Sequence, residues 1–260
     1  MSNQIKLSQL IGQLPEVRAT LIQNRRFIIV PVAAALGYLL LRDPIKDARD
    51  HFFSWIYTKY FLAAIDKHLF SFRQEMKYLL AKQRSQDPHP HNDETLRILE
   101  IGAGPGSNLD FYPKSSRVMI LEPNAYFLDT LLKKQKSHSE VVRVICGYAE
   151  DLSDIQDESI DAVVSTLVLC SVGDLDKSLK EVKRVLVKGG RLYLFEHILD
   201  THDRTRRLTQ YIVSPMWSLI YDGCQISRDI NAALVRAGFD IGSKRNYYVT
   251  CFWKDEEHGK

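Results

Sequence analysis

The sequence predicts an α/β fold: a doubly wound, mostly parallel sheet carrying an N-terminal helical membrane-anchor extension. Three observations carry this reading. From Leu96 onward, short apolar runs rich in β-formers alternate with helix-period segments and short connections. The first run, Leu96-Arg-Ile-Leu-Glu-Ile101, leads into three glycines at alternate positions, Gly102, Gly104 and Gly106. Ahead of the sheet lie an uncharged apolar stretch and an aromatic-rich one, with a polar linker after them.

Glycines at alternate positions allow a tight turn at the end of a strand and let a ligand lie against bare backbone. A helix is expected to follow, with its N-terminal amides aimed at that ligand. The spacing departs from G-x-G-x-x-G, because Ser107 stands where the third glycine of that pattern belongs. Arg117-Val-Met-Ile-Leu-Glu122 reads as the second strand, stopped by Pro123 and Asn124. Its terminal carboxylate lies twenty residues after Gly102 and is placed to accept the hydroxyls of a ribose.

Val141–Cys146 reads as the third strand, and Gly147-Tyr-Ala-Glu-Asp-Leu152 as the turn after it, with Glu150 or Asp151 as its candidate polar side chain. Ile160–Leu169 is nearly continuous in apolar residues, as a central parallel strand covered on both faces requires. A helix is expected over about 174–187. Lys188-Gly-Gly190 then breaks it and launches a fifth strand, Arg191–His197. Ligands of such sheets sit at the carboxyl ends of the strands, where Glu100, Glu122, Cys170 and His197 fall.

The extension is read as residues 1–82, with an apolar anchor at 27–41 and an aromatic interfacial helix at 52–72. Fifteen uncharged residues make a helix of about 22 Å, short of the roughly 30 Å hydrocarbon core. Pro31 and Gly37 weaken a straight span further. A monotopic anchor follows, with a buried core helix as the competing reading. In the next stretch Phe53, Ile56, Tyr57, Tyr60, Ile65 and Leu69 share much of one helical face, beside Lys59, Asp66 and Lys67. Aromatic rings with a few cations suit a headgroup boundary; the same helix also serves to cap the sheet and cover its ligand mouth. Residues 83–95 are polar with two prolines and read as the linker, and residues 96–260 as the main domain.

A net charge of +3 over 260 residues is too mild for a nucleic-acid partner. The four cysteines, Cys146, Cys170, Cys224 and Cys251, form no C-x-x-C pair and no metal-ligand spacing, so no metal is expected.

Leu99-Glu-Ile-Gly-Ala-Gly-Pro-Gly106, Phe111-Tyr-Pro113, Glu122-Pro-Asn124, Thr166-Leu-Val-Leu-Cys-Ser-Val172, Glu196-His197 and the Pro215 to Cys224 segment, with Trp217 and Asp222-Gly-Cys224, occur together. With these motifs the chain resembles the membrane-associated thiol S-methyltransferases, also called methyltransferase-like seven, a branch of the class I methyltransferases. The resemblance implies S-adenosyl-L-methionine as cofactor and small alkyl thiols as acceptors. It also implies a place on endoplasmic reticulum and lipid droplets, with the main domain facing the cytosol. In its terms Glu100, Gly102, Gly104, Gly106, Glu122, Ala149, Glu150 and Thr166 bind the cofactor. His197, at a strand end and with a free pKa of about 6.5, is the candidate for taking the acceptor proton, a structural contact with Asp222 being the alternative. Cys170, Trp217, Asp222 and Cys224 are the candidates to line the acceptor pocket. A lipid or quinone acceptor, or a non-catalytic membrane protein with a decayed domain, are the alternatives. The C-terminal run Tyr247–Trp253 departs from the family's closing hairpin.

Overall fold

The computed structural model describes residues 43–86, 95–138 and 140–241. The chain divides into two units, Met1–Arg49 and Asp50–Lys260. Of the first, residues 43–49 are described, and they are helical. The anchor at 27–41 and the run Tyr247–Trp253 lie outside the described residues.

The second unit opens with a long helical segment, α1: residues 50–56, a π-helical turn at Tyr57–Phe61, and Leu62–Gln86. It is followed by β1 (Arg97–Ile101), β2 (Arg117–Leu121), α2 (Ala125–Gln135), β3 (Val141–Ile145), β4 (Ile160–Thr166), α3 (Leu175–Val185), β5 (Leu186–Phe195), α4 (Arg204–Ile220) and α5 (Ile230–Arg236). The strands form one sheet in the order β3-β2-β1-β4-β5, and every pair is parallel. Neighbouring side chains of one strand enter different cores. Leu99, Ile101 and Val163 join Leu179, Val182 and Ile230 from α3 and α5. Ile98, Val118, Ile120, Ala162 and Val164 instead pack with Met76 and Leu80 of α1 and Leu131 of α2. Burial on both faces explains why the central strands carry no polar alternation.

Ion pairing and caps support the packing. Arg97 donates from Nε and Nη2 to the two Asp161 oxygens at 2.9 and 2.8 Å, and its backbone amide donates to the same carboxylate. This joins the starts of β1 and β4. Asn124, Asp174, Asp203 and Asp229 each cap a helix by accepting a backbone N–H within its first turn.

Four expectations change. No long helix follows the glycines; a turn and a single 3-10 turn, Leu109–Phe111, take its place. Gly102, Gly104 and Gly106 all have positive φ, and Pro113 disfavours helical geometry at Tyr112. Strand β4 ends at Thr166, because Leu167 turns the chain at φ +60°. Strand β5 starts at Leu186, with Gly189 and Gly190 forming a bulge inside it rather than a break before it. Gly189 has φ +81°, and a Cβ on Gly190 would lie 2.9 Å from the Val187 carbonyl, so this bulge needs both glycines. The predicted linker is shorter, since α1 runs through Gln86. Gln83 is bound into the domain, donating to the Asp161 carbonyl and accepting from the Tyr193 hydroxyl, each at 2.9 Å.

The aromatic stretch is therefore a cap on the sheet. Phe53 and Tyr57 meet Phe127 edge to face, Phe72 lies 5.4 Å from Phe195, and Leu69 is buried. Phe52, Trp55, Tyr60 and Phe70 stay exposed on the same segment. The Ile65 side chain lies outside the described set. Among the described residues no helix is long and apolar enough to cross a membrane.

Candidate cofactor cradle and acceptor pocket

The three glycines do different work. A Cβ on Gly102 would lie 2.4 Å from Val168 Cγ2, and one on Gly106 would lie 3.0 Å from Leu109 and Leu131. Those two positions serve packing. At Gly104 an added Cβ would meet nothing within 4 Å, so this residue presents bare backbone to open space. Gly102→Ala is expected to destabilise the protein by about 2 kcal/mol, from the left-handed backbone and the clash together. Thermal unfolding of G102A, V168A and G102A/V168A separates the two, since V168A removes the clash and the single variant reads its own packing loss.

Glu122 closes the cradle. Its carboxylate accepts the Gly104 amide at 2.7 Å and the Asn124 amide at 2.8 Å, tying the end of β2 to the turn after β1. Asn124 in turn donates from Nδ2 to the Asp50 carbonyl at 3.1 Å, so the start of α1 lies over this end of the sheet. Burial pushes Glu122 up to about 7, only partly offset by the Asn124 and Gly104 amides, and Asp222 and Asp50 raise it further. Burial likewise pushes the Tyr57 phenol up to about 12, in a position where it feels Arg73, Asp66 and Glu122.

Glu100 lies deeper than its place in the motif implied. It is buried, and its Oε1 accepts from Asn108 Nδ2 at 2.8 Å. The same amide reaches Thr166 Oγ1 at 3.0 Å, and Arg73 Nε donates to Asn108 Oδ1 at 2.8 Å. Glu100 and Thr166 therefore brace the glycine turn through Asn108. Burial pushes Glu100 to about 7 against the Tyr112 hydroxyl and the Asn108 amide, which favour its charge. The sequence reading missed Arg73 and Asn108. The available signal was a lone arginine among the apolar positions of a capping helix.

In the turn after β3, Ala149 is buried and Tyr148 is exposed. Glu150 is engaged elsewhere than expected: its Oε1 accepts the amides of Gly173 at 2.7 Å and Asp174 at 3.1 Å. It fastens this turn to the loop before α3, while the Ala149 side chain packs into the core with Leu121 and Leu152.

At the ends of β4 and β5 a second set converges. Glu196 accepts the Ser165 hydroxyl at 2.5 Å and the amides of Val168, Leu169 and Cys170 at 3.0, 3.0 and 3.1 Å. Arg228 grips the carbonyls of Leu169 and Val172 at 2.9 and 2.7 Å, and the Gln225 amide donates to the Cys170 carbonyl at 2.8 Å. The turn at Asp222 and Gly223, with φ of 44° and 83°, then brings Cys224 back against that loop. The Cys170 and Cys224 sulfurs lie 3.4 Å apart, and His197 Nδ1 is 3.8 Å from the first and 3.3 Å from the second. Trp217 meets His197 edge to face at 5.9 Å and stacks on Tyr221 at 4.2 Å.

The shared hydrogen bond divides the thiols. It holds Cys224 below the usual thiol range against the effect of burial. The same bond, with burial and Glu196, pushes Cys170 well up. Burial would lower His197, but the Cys170 hydrogen bond and the negative charge beside it leave the imidazole above its ordinary value. All five residues named for this end, Cys170, His197, Trp217, Asp222 and Cys224, belong to one neighbourhood, and Asp222 acts electrostatically on Glu122 across to the cradle.

A parallel sheet with an open glycine turn hydrogen-bonded to a strand-end carboxylate fits an adenosyl group. Fold and cradle together define a class I S-adenosylmethionine-dependent methyltransferase. Residues 99–194 match the family model described as a methyltransferase domain. The chain is 35% identical over 185 residues to thiol S-methyltransferase TMT1B of Rattus norvegicus, covering 70% of this chain and 75% of the relative. It is 35% identical over 161 residues to thiol S-methyltransferase TMT1A of Homo sapiens, covering 61% of this chain and 66% of that one. The chain belongs to the thiol S-methyltransferase family. Among solved structures it is similar to the CurJ carbon methyltransferase, with a TM-score of 0.50 at 19% identity over 65% of this chain and 47% of the other, a likeness of fold.

Proposed function

We propose that this protein transfers a methyl group from S-adenosylmethionine to the sulfur of small alkyl thiols. The observation that carries the proposal is the placement of His197, Trp217 and two cysteines at the strand ends next to the cradle. Sulfur and aromatic side chains suit a neutral alkyl thiol better than a charged acceptor. Bound cofactor supplies an electrophilic methyl on a sulfonium, so the chain's own work is to orient and to exclude water. Gly104 and Glu122 hold the adenosyl part, while Tyr57 and the start of α1 cover it. A free thiol has a pKa of about 8.5, so little of it is ionised at neutral pH. His197 stands in the pocket wall and takes the acceptor proton.

His197→Ala is expected to lower turnover about tenfold or more for weakly acidic alkyl thiols and much less for acidic aryl thiols. Initial rates over a series of thiols of graded acidity check this. An equal loss for every thiol rejects proton removal at His197. The reaction itself is tested with the full chain, labelled S-adenosylmethionine, and a panel of thiols and extracted lipids. Label in thioethers supports the proposal, and label only in lipid favours the lipid-acceptor reading.

A membrane surface as partner belongs to the same proposal. α4 exposes Leu208, Ile212, Met216 and Leu219 at helical spacing, and α1 exposes Phe52, Trp55 and Tyr60. Lys59 lies 5.2 Å over the Trp55 ring, and Phe61 meets Tyr221 at 5.1 Å, which joins the two helices beside the acceptor pocket. Such faces suit an interface where apolar thiols collect. On endoplasmic reticulum and lipid droplets, with the domain in the cytosol, both faces meet the lipid. Leu208→Glu with Met216→Glu should reduce co-sedimentation with phospholipid vesicles, and unchanged binding argues against α4 as the contact.

A further inference from the structure

We infer that Cys170, Cys224 and His197 form a three-ligand site for a thiophilic divalent cation, Zn²⁺ being the ion the donors suit. The three ligand atoms lie within 4.8 Å of one another, although 54 positions separate the cysteines in sequence. In tetrahedral zinc, bonds of about 2.3 Å to sulfur and about 2.05 Å to nitrogen put paired ligand atoms about 3.5 to 3.8 Å apart. The distances here are 3.3, 3.4 and 3.8 Å. Two sulfurs and one imidazole form a set that leaves a fourth position for water or an acceptor, and soft donors select against magnesium and calcium. Charge favours it as well, since two thiolates neutralise the ion and no net charge is buried. The backbone already sets the geometry: Glu196 fixes the Cys170 amide, and the Asp222–Gly223 turn returns Cys224.

Two thiol protons leave to solvent on binding, and the ion takes up Nδ1 of His197. An occupied site therefore silences the imidazole assigned above to the acceptor proton, without touching Gly104 or Glu122. This second statement rests on the thiol reaction proposed above; the ion site itself does not. Zinc then acts as a reversible inhibitor that leaves cofactor binding intact.

The experiment takes the full-length chain, freed of metal by chelator under reducing conditions. Zn²⁺ is titrated against a chromophoric competitor, and Co²⁺ is followed by absorption. One ion per chain is expected, with thiolate-to-cobalt charge transfer and the intense visible bands of four-coordinate cobalt. Affinity should fall at least a hundredfold in C170S/C224S and stay within twofold in C146S. The thermal midpoint should rise with zinc in wild type and C146S and stay fixed in the double variant. Absence of saturable binding, equal affinity in the double variant, or loss in C146S overturns the site. A weak six-coordinate cobalt spectrum overturns it too. S-adenosylmethionine affinity by calorimetry should be the same within twofold with and without zinc, while thiol methylation falls in proportion to occupancy. Methylation that persists at full occupancy overturns the inhibition. Tight zinc binding by a metal-free protein that methylates no thiol confirms the site and rejects the thiol reading instead.

Discussion

Glu122→Ala is expected to weaken S-adenosylmethionine binding by about a hundredfold or more, the loss of charge-assisted hydrogen bonds worth roughly 1.5–3 kcal/mol each. The same change frees the amides of Gly104 and Asn124, which lose their shared acceptor. Glu122→Gln keeps one acceptor oxygen and should fall between alanine and wild type. Isothermal calorimetry measures all three, and equal affinity in E122A and wild type removes Glu122 from the cofactor site. The pH dependence makes the test sharper. Burial opposes the charge of this carboxyl and holds it at about 7. Ribose hydroxyls donate to the ionised form, so affinity should rise with pH up to about 7 and then level, and binding below that pH should release a proton. E122Q should show a flatter profile.

The same displacement gives stability a defined slope. Glu100 and Glu122 both stand at about 7 in the folded chain, against 4.5 as their ordinary value. Between those values the folded state holds protons that the unfolded chain has released. Their contribution is therefore full below about 4.5 and is lost as pH rises through 7. Each shift is worth on the order of 3 kcal/mol. Thermal unfolding of the cofactor-free protein should show a midpoint that falls across this window, with E122Q losing part of the fall. A midpoint that rises across it contradicts the burial of these carboxylates.

Glu196→Ala should produce the largest loss of stability, about 3–5 kcal/mol, because a carboxylate serving four donors is removed at once. The amides of Val168, Leu169 and Cys170 and the Ser165 hydroxyl all point at it. Leu167, held at φ +60°, leads into this loop, so its shape depends on that anchor. Glu196→Gln keeps an oxygen for two amides and turns an NH₂ toward the third, so it should cost about half as much. Denaturant unfolding measures the stability of both variants. Methyl transfer should fall even where E196Q remains folded, because Cys170 and His197 flank the altered contact. Full activity in a folded E196Q would show that the loop keeps its shape without this carboxylate.

Much of the fold was legible in the sequence. Five apolar runs marked five strands, because strands covered by helices are dominated by apolar residues and the few buried polar ones, Glu100, Asp161 and Ser165, are hydrogen-bonded. The sharp stops at Gly102 and at Pro123 placed the ends of the first two strands within a residue or two. Errors arose where one residue type permits two geometries. Gly189 and Gly190 equally suit a break or a bulge, and the pairing of β5 with β4 selects the bulge. The alternate glycines suited a helix start, yet three positive φ values and Pro113 favour a turn.

Side-chain roles were less legible. Glu100 and Glu150 stand at motif positions, but whether a carboxylate faces a ligand or a neighbouring amide depends on what packs beside it. Asn108 captures the first, and the Gly173 loop captures the second.

Local chemistry alone thus determined the parallel sheet, the glycine turn and the acid at the end of the second strand. These follow from backbone sterics and from the period of apolar residues, both of which act over a few positions. Only the tertiary structure decided that Gly104 is the open glycine and that α1 covers the cradle. It also decided that Cys170, His197 and Cys224 meet. Their contact comes from three separate segments brought to one end of the sheet, and no sequence spacing encodes a distance set by strand order and loop closure.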